Sequence, residues 1–246
     1  MTEPQYGYPK GTADYQKVLP NTLLNSQLFL DEGESIESKI FSLISQTSTF
    51  HSPRSRYIIK DPSTHVLEEM SASPLELGFL QMLVRISGAR RVLEIGTFLG
   101  VSAMYFAEAL PPEGRVVTIE KFDQFGAVAE ENIRVNGFGD RITVVVGDAL
   151  EVLDEVLSSD VFDFALIDGN KENYAQYLLR IADLMPVGGI IAIDDAMFFG
   201  DVANDSPRTA KGRGVAEALT AGSRLQNWDR VLLPIYNGLF ILRRSS

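Results

Sequence analysis

Arg91-Val92-Leu93-Glu94-Ile95-Gly96-Thr97-Phe98-Leu99-Gly100-Val101 passes from a short apolar run, through a turn punctuated by two glycines, into a helical pattern. Downstream the same alternation repeats. Arg115–Glu120, Ile142–Val146, Phe162–Ile167 and Ile190–Ile193 read as further strands, and Val101–Leu110, Phe122–Asn136, Ala149–Leu157 and Asn173–Met185 read as helices. Strands this rich in Val, Ile and Leu are buried on both faces, and alternating strand–helix units build a parallel, doubly wound sheet. The C-terminal end differs. There Val231–Tyr236 and Leu239–Leu242 flank Asn237-Gly238, a strong hairpin signal. The expected fold is α/β and Rossmann-like, a mostly parallel seven-stranded sheet with an antiparallel C-terminal strand.

Upstream, Ser73-Pro74-Leu75-Glu76 opens a helix, with Ser as N-cap and Pro at the first helical position. Leu77, Leu80, Leu83 and Val84 carry its apolar face toward Gly88. Ile36, Ile40, Phe41, Leu43 and Ile44 recur at helical spacing within Glu34–Ser45, and Ser48–Ser63 reads as a loop or lid. Residues 1–27 carry Tyr6, Tyr8, Tyr15, Leu19, Leu23 and Leu24 without a period, and read as an arm that needs a surface to pack on. That surface is either another subunit or the chain's own domain. The chain thus divides into an arm, helix and lid-like loop over 1–69 and an α/β domain over 70–246.

A net charge of −11 opposes nucleic acid or an anionic membrane as partner. The absence of cysteine excludes disulfides, thiolate metal sites and a cysteine nucleophile. The N-terminus lacks a signal-peptide pattern and no apolar run is long enough to span a bilayer, so the expected location is the cytoplasm. His51 and His65 make no ligand spacing and read as surface or structural residues.

Three successive strand ends carry features suited to a nucleoside-type ligand, at the edge where open α/β sheets bind ligands. Gly96 allows a tight turn and close ligand approach. The Gly96–Gly100 spacing differs from the Gly-x-Gly-x-x-Gly that seats a pyrophosphate, which favours S-adenosylmethionine over NAD. Glu94 supplies a carboxylate near an ammonium or sulfonium, Glu120 can accept from both ribose hydroxyls, and Gly147-Asp148-Ala149 lies where an adenine edge would sit. The next two strands end in Asp168-Gly169-Asn170-Lys171 and Asp194-Asp195. Three carboxylates at neighbouring strand ends repel one another unless a cation joins them, and oxygen ligands suit Mg²⁺, with Mn²⁺ or Ca²⁺ as alternatives. A desolvated Lys171 on this edge can have its pKa lowered enough to serve as a base.

These residues resemble the cation-dependent O-methyltransferase family that includes caffeoyl-CoA and catechol O-methyltransferases. The similarity runs from about Met70 to the C-terminus, through Met70–Glu76, Phe79–Leu83, Glu94–Ser102 and Asp168-Gly169-Asn170-Lys171-Glu172-Asn173-Tyr174. The resemblance implies Met70, Glu94, Gly96, Ser102, Glu120, Ala149 and Asp168 around the cofactor, Asp168 and Asp194 as metal ligands, Lys171 as base, and a homodimer. The chain departs from the family at Asp195, where an Asn is usual, and at Phe198, where a Trp is usual. With Asp195 in the Asn role the cation would meet three carboxylates.

The expected reaction is cation-assisted methyl transfer from S-adenosylmethionine to a small-molecule hydroxyl, with a catechol or other vicinal hydroxyl as acceptor. Asp195 and Phe198 keep open a hydroxylated, possibly carrier-tethered, acyl intermediate of secondary metabolism. An NAD-dependent oxidoreductase and an inactive ligand-binding homologue are the rivals from other classes.

Overall fold

The computed structural model describes residues 43, 46–48, 53–61 and 72–246. The arm over 1–27, the Glu34–Ser45 helix apart from Leu43, and Met70, His51 and His65 lie outside the described residues. The chain forms a helical turn α1 (Pro53–Arg56) and a helix α2 (Pro74–Ser87). Then β1 (Arg91–Ile95), α3 (Val101–Ala109), β2 (Arg115–Glu120), α4 (Asp123–Val135), β3 (Ile142–Val146) and α5 (Ala149–Ser159) alternate. They are followed by β4 (Phe164–Ile167), α6 (Tyr174–Leu184), β5 (Ile190–Ile193), α7 (Ala210–Arg224), β6 (Trp228–Leu233) and β7 (Leu239–Arg244). No helix among the described residues is long and apolar enough to cross a membrane.

The sheet order is β3-β2-β1-β4-β5-β7-β6. The first five strands are parallel, and β7 runs antiparallel between β5 and β6. Strand order reverses between β1 and β4, so the ends of those strands flank the crevice where such sheets bind ligands. Successive strand residues feed opposite cores. Val92, Val116, Phe164 and Ala192 pack with α2, α3 and α4, whereas Leu93, Ile95, Ala165 and Ile193 pack with α5, α6 and α7. A sheet covered on both faces explains why its strands read as continuous apolar runs.

Local chemistry sets the boundaries. Ser73 caps α2 by accepting the Glu76 N–H at 3.2 Å, Pro74 opens the helix, and Gly88 ends it at φ +69°. β4 starts at Phe164 and not at Phe162, because the Asp163 carboxylate accepts the Arg90 and Arg91 N–H groups at 3.0 Å. The hairpin forms, but Pro234–Gly238 is a longer loop than Asn237-Gly238 alone implies, since Leu233 pairs with Leu239. The sequence pattern gave no sign of α7. Gly212, Gly214 and Gly222 replace the large apolar residues that mark a helix, because each sits against a neighbour with no room for a side chain.

Part of the expected lid, residues 53–61, is strapped to the domain. Tyr57 packs its ring 5.4 Å from Tyr105 and 6.2 Å from Phe138. Buried Asn132 accepts the Lys60 N–H at 2.7 Å and donates to the Lys60 and Leu99 carbonyls, both at 3.1 Å. One side chain thereby ties the strap to the β1–α3 turn.

Candidate active site

The turn after β1 is built for close approach. Gly96 has φ +103°, and a Cβ there would lie 2.3 Å from the Asp168 carbonyl oxygen, so the β1 and β4 turns touch backbone to backbone. Gly100, at φ +80°, opens α3. Gly96, Thr97, Ser102, Leu77 and Asp168 line a cleft between these turns. The cofactor candidates Gly96, Ser102 and Asp168 therefore share one pocket.

Glu94 is fully buried beneath this turn. Its Oε2 accepts from Thr118 Oγ1 at 2.6 Å, Thr118 pairs with Thr97 at 2.6 Å, and Oε1 meets no donor among the described residues. Burial pushes its pKa up to about 8, opposed by the Ser102 and Thr118 hydroxyls and reinforced by the Asp168 and Glu120 charges. Glu120 accepts the Phe98 N–H at 2.8 Å and the Phe122 N–H at 3.0 Å, which fixes its carboxylate at the end of β2. Asp148 is a helix cap: it accepts the Leu150 N–H at 3.0 Å and pairs with Lys121 at 2.7 Å. Ala149 follows it, buried at the start of α5.

The acidic edge is organised around Lys171. Its Nζ lies 2.8 Å from Asp195 and 3.5 Å from Asp168, and 5.5 Å from the centre of the Tyr174 ring. α7 makes this possible, because a Cβ on Gly214 would stand 2.4 Å from the Lys171 carbonyl oxygen. Burial alone would lower the lysine pKa, as expected. Tyr174 and the Asp168, Asp195 and Asp194 carboxylates outweigh it and hold the ammonium well above the usual lysine range. These neighbours therefore favour the ammonium form of Lys171.

Asp168 and Asp194 are both pushed well above the ordinary carboxylate range, first by burial. Asp194 and Asp195 add to this for Asp168, and Glu76 and Asp195 for Asp194. Asp195 sits at φ +53°, its Oδ2 on Lys171 and its Oδ1 on Asn237 Nδ2 at 2.6 Å. Phe198 is buried, and its neighbour Phe199 is 62% exposed.

Two site residues escaped the sequence reading. Glu76 is fully buried, neither oxygen meets a donor among the described residues, and burial raises its pKa to about 7. Its nearest acidic neighbour is Asp194, so linking the two takes a shared proton or cation. The signal was present, because Glu76, Leu80 and Val84 repeat every four residues and put the acid on the buried stripe. Asn237 read only as half of a turn.

Among the described residues, no three His, Asp or Glu side chains are grouped as a ready metal site. The donor chemistry nevertheless fits a hard cation. Asp168, Asp194 and Glu76 offer oxygen alone, and the two Glu76 oxygens are buried without a donor among the described residues. Asp195 fits less well, since both of its oxygens already hold a donor.

An O-methyltransferase family model matches residues 46–245. The chain is 30% identical to a caffeoyl-CoA O-methyltransferase of Petroselinum crispum over 224 residues, 84% of this chain and 91% of that one. A shorter match, 39% over 140 residues, spans 56% of this chain and 60% of an Arabidopsis thaliana relative. Among solved structures, an O-methyltransferase from Bacillus cereus in complex with S-adenosylhomocysteine (SAH) superposes with a TM-score of 0.73 at 25% identity. That match covers 84% of this chain and 97% of that one. With the sheet order and the β1 turn already in agreement, the chain belongs to the O-methyltransferase family.

Proposed function

We propose that the chain methylates a hydroxyl of a small molecule, with S-adenosylmethionine as donor and a divalent cation as aid, and that a catechol or other vicinal hydroxyl is the acceptor. One observation carries this reading: Asp168 borders the cofactor cleft on one side and the Lys171 ammonium on the other. The methyl donor and the group that handles the acceptor's proton would then be neighbours.

When bound, S-adenosylmethionine supplies an electrophilic methyl on a sulfonium, and a cation held chiefly by Asp168 and Asp194, with Asp195 in a lesser role, would lower the pKa of an acceptor hydroxyl. The rest falls to the chain. Gly96 and Ser102 would shape the pocket for the donor, and Glu120, held at the end of β2, would accept from its ribose hydroxyls. Lys171 orients Asp168 and Asp195 as an ammonium. It becomes a proton acceptor at Nζ when positive charge arriving beside the carboxylates offsets their hold on it. The apolar walls from Leu77 and Leu99 exclude water, which keeps donor methyl and acceptor oxygen in near-attack geometry.

Asp195 and Phe198, which stand where the family usually has Asn and Trp, support a second acceptor class, a hydroxyacyl chain that is free or carrier-tethered. A methylation assay over catechols and hydroxyacyl thioesters, with and without EDTA, tests both. Turnover of catechols that EDTA abolishes supports the first reading, thioester turnover alone favours the second, and EDTA-resistant turnover removes the cation. Thermal shift by SAH and none by NADH separates both from an oxidoreductase. The homodimer implied by the resemblance is part of the same proposal, and light scattering tests it.

A further inference from the structure

The loop Pro234–Gly238 lies flat against residues 195–199, and Asn237 is at the centre of the contact. Ala196 N–H donates to the Gly238 carbonyl and Met197 N–H to the Asn237 carbonyl, both at 2.8 Å. Gly238 must be glycine for this approach, since its φ is +97° and a Cβ would lie 2.4 Å from Met197 Cγ. The Asn237 side chain, 9% exposed, then uses both ends of its amide. Nδ2 donates to Asp195 Oδ1 at 2.6 Å, and Oδ1 accepts the Phe199 N–H at 2.6 Å.

The two residues it holds are strained. Asp195 and Phe199 both have φ +53°, and Phe198 has φ +37°, a region that residues with a Cβ enter only when their surroundings impose it. Asp195 passes the constraint on through its other oxygen, 2.8 Å from Lys171 Nζ. Phe199 carries it to an exposed ring packed edge-on against Phe198 at 5.6 Å.

We propose that Asn237 is a positioning residue for the methyl transfer, one amide that fixes the Asp195–Lys171 pair and the exposed Phe199 ring relative to each other and so sets which acceptor shapes are methylated. The inference rests on the O-methylation reading for its reaction, though not for its structural claim. An amide is required for a chemical reason. The Asp195 end needs a donor and the Phe199 end an acceptor, and a carboxylate at position 237 would face the Asp195 carboxylate with no proton between them.

The test uses the full-length chain with catechol as the acceptor probe, SAH as the cofactor probe, and amide hydrogen exchange at Asp195–Phe199. Asn237→Ala is expected to keep its SAH affinity within about twofold. It should lower catechol kcat about 10- to 100-fold, the loss expected when a buried polar group is left unpaired, and should speed exchange at Phe199 by a similar factor. A merely structural role would instead lower SAH affinity and global stability together. Asn237→Asp alone should be as defective, and the swapped pair Asp195→Asn with Asn237→Asp should regain the slow exchange, because donor and acceptor are then restored in reverse. That swap also decides the matter if Asn237→Ala does not fold. Unchanged exchange at Phe199, or catechol kcat/KM within twofold of the parent, overturns the proposal. If the parent methylates no catechol, the acceptor reading has failed, and the exchange results alone still confirm or overturn the positioning claim.

Discussion

Lys171 and Glu94 carry opposite electrostatic burdens, and both are testable. Three carboxylates face Lys171, so its charge is needed to hold Asp168 and Asp195 in place, yet proton transfer needs the neutral amine. Lys171→Ala should lower kcat by about 100- to 10,000-fold, the usual scale for a positioned base. Lys171→Arg preserves the charge but cannot lose a proton, and should be nearly as inactive while keeping SAH affinity. Substantial activity in the arginine variant would leave Lys171 as a clamp alone. Glu94 moves from 4.5 to about 8 on folding, so between those values the folded chain keeps a proton that the unfolded chain has lost. Its contribution to stability therefore falls as pH rises from 4.5 and levels off above 8. Glu94→Gln removes that slope. The variant's gain in unfolding free energy over the parent should be small near pH 5 and grow to on the order of a few kcal/mol above pH 8, read as a Tm difference that widens with pH, with weaker SAH binding as the cost. A Tm difference that does not change with pH would refute the assignment.

Among the elements, those with a clear period were legible and those shaped by contact were not. All five parallel strands and four of their helices follow from apolar runs and breaks, with ends differing by a residue or two. α7 is the instructive failure. Its glycines suit close packing against Asp201, the Lys171 turn and Phe240, contacts that depend on residues far away in sequence. Asp168, Asp194 and Lys171 were legible because strand ends set their placement. Asn237 and Glu76 were not, since their partners come from other elements. Lys171's titration was misread because desolvation was weighed alone, whereas Tyr174 and Asp168, each three residues away, and Asp195 and Asp194 after β5 outweigh it. Gly214 gives the test at this scale. Gly214→Ala should push α7 from the Lys171–Asn173 turn, costing about 1–3 kcal/mol by overpacking. It should reduce kcat more than SAH affinity, because the cofactor turn lies on the other side of Asp168. Equal losses in both would mean that α7 supports the domain and not the turn.

Across the whole molecule, charge is distributed against stability in a way that a ligand would relieve. Glu76 from α2, Asp168 after β4 and Asp194 and Asp195 after β5 meet at one edge of a chain whose net charge is −11, and Lys171 offsets part of that charge. Burial pushes the Glu76 carboxyl up to about 7 and the Asp194 carboxyl well above the usual carboxylate range, and a cation between them would oppose both shifts. A divalent cation that binds the folded state and not the unfolded one stabilises it by about 2.7 kcal/mol at one hundred times its Kd. For a domain of this size that is about 5–10 °C in Tm. Mg²⁺ or Mn²⁺ should therefore raise Tm over the EDTA-treated protein, and raise it more at pH 8 than at pH 6, where the carboxyls must release protons to bind. Asp194→Asn should abolish the rise, and Asp195→Asn should keep most of it, because the Asp195 oxygens are already held by Lys171 and Asn237. A Tm indifferent to both metals, together with methylation that survives EDTA, would show that the Lys171 ammonium is the only cation this edge uses.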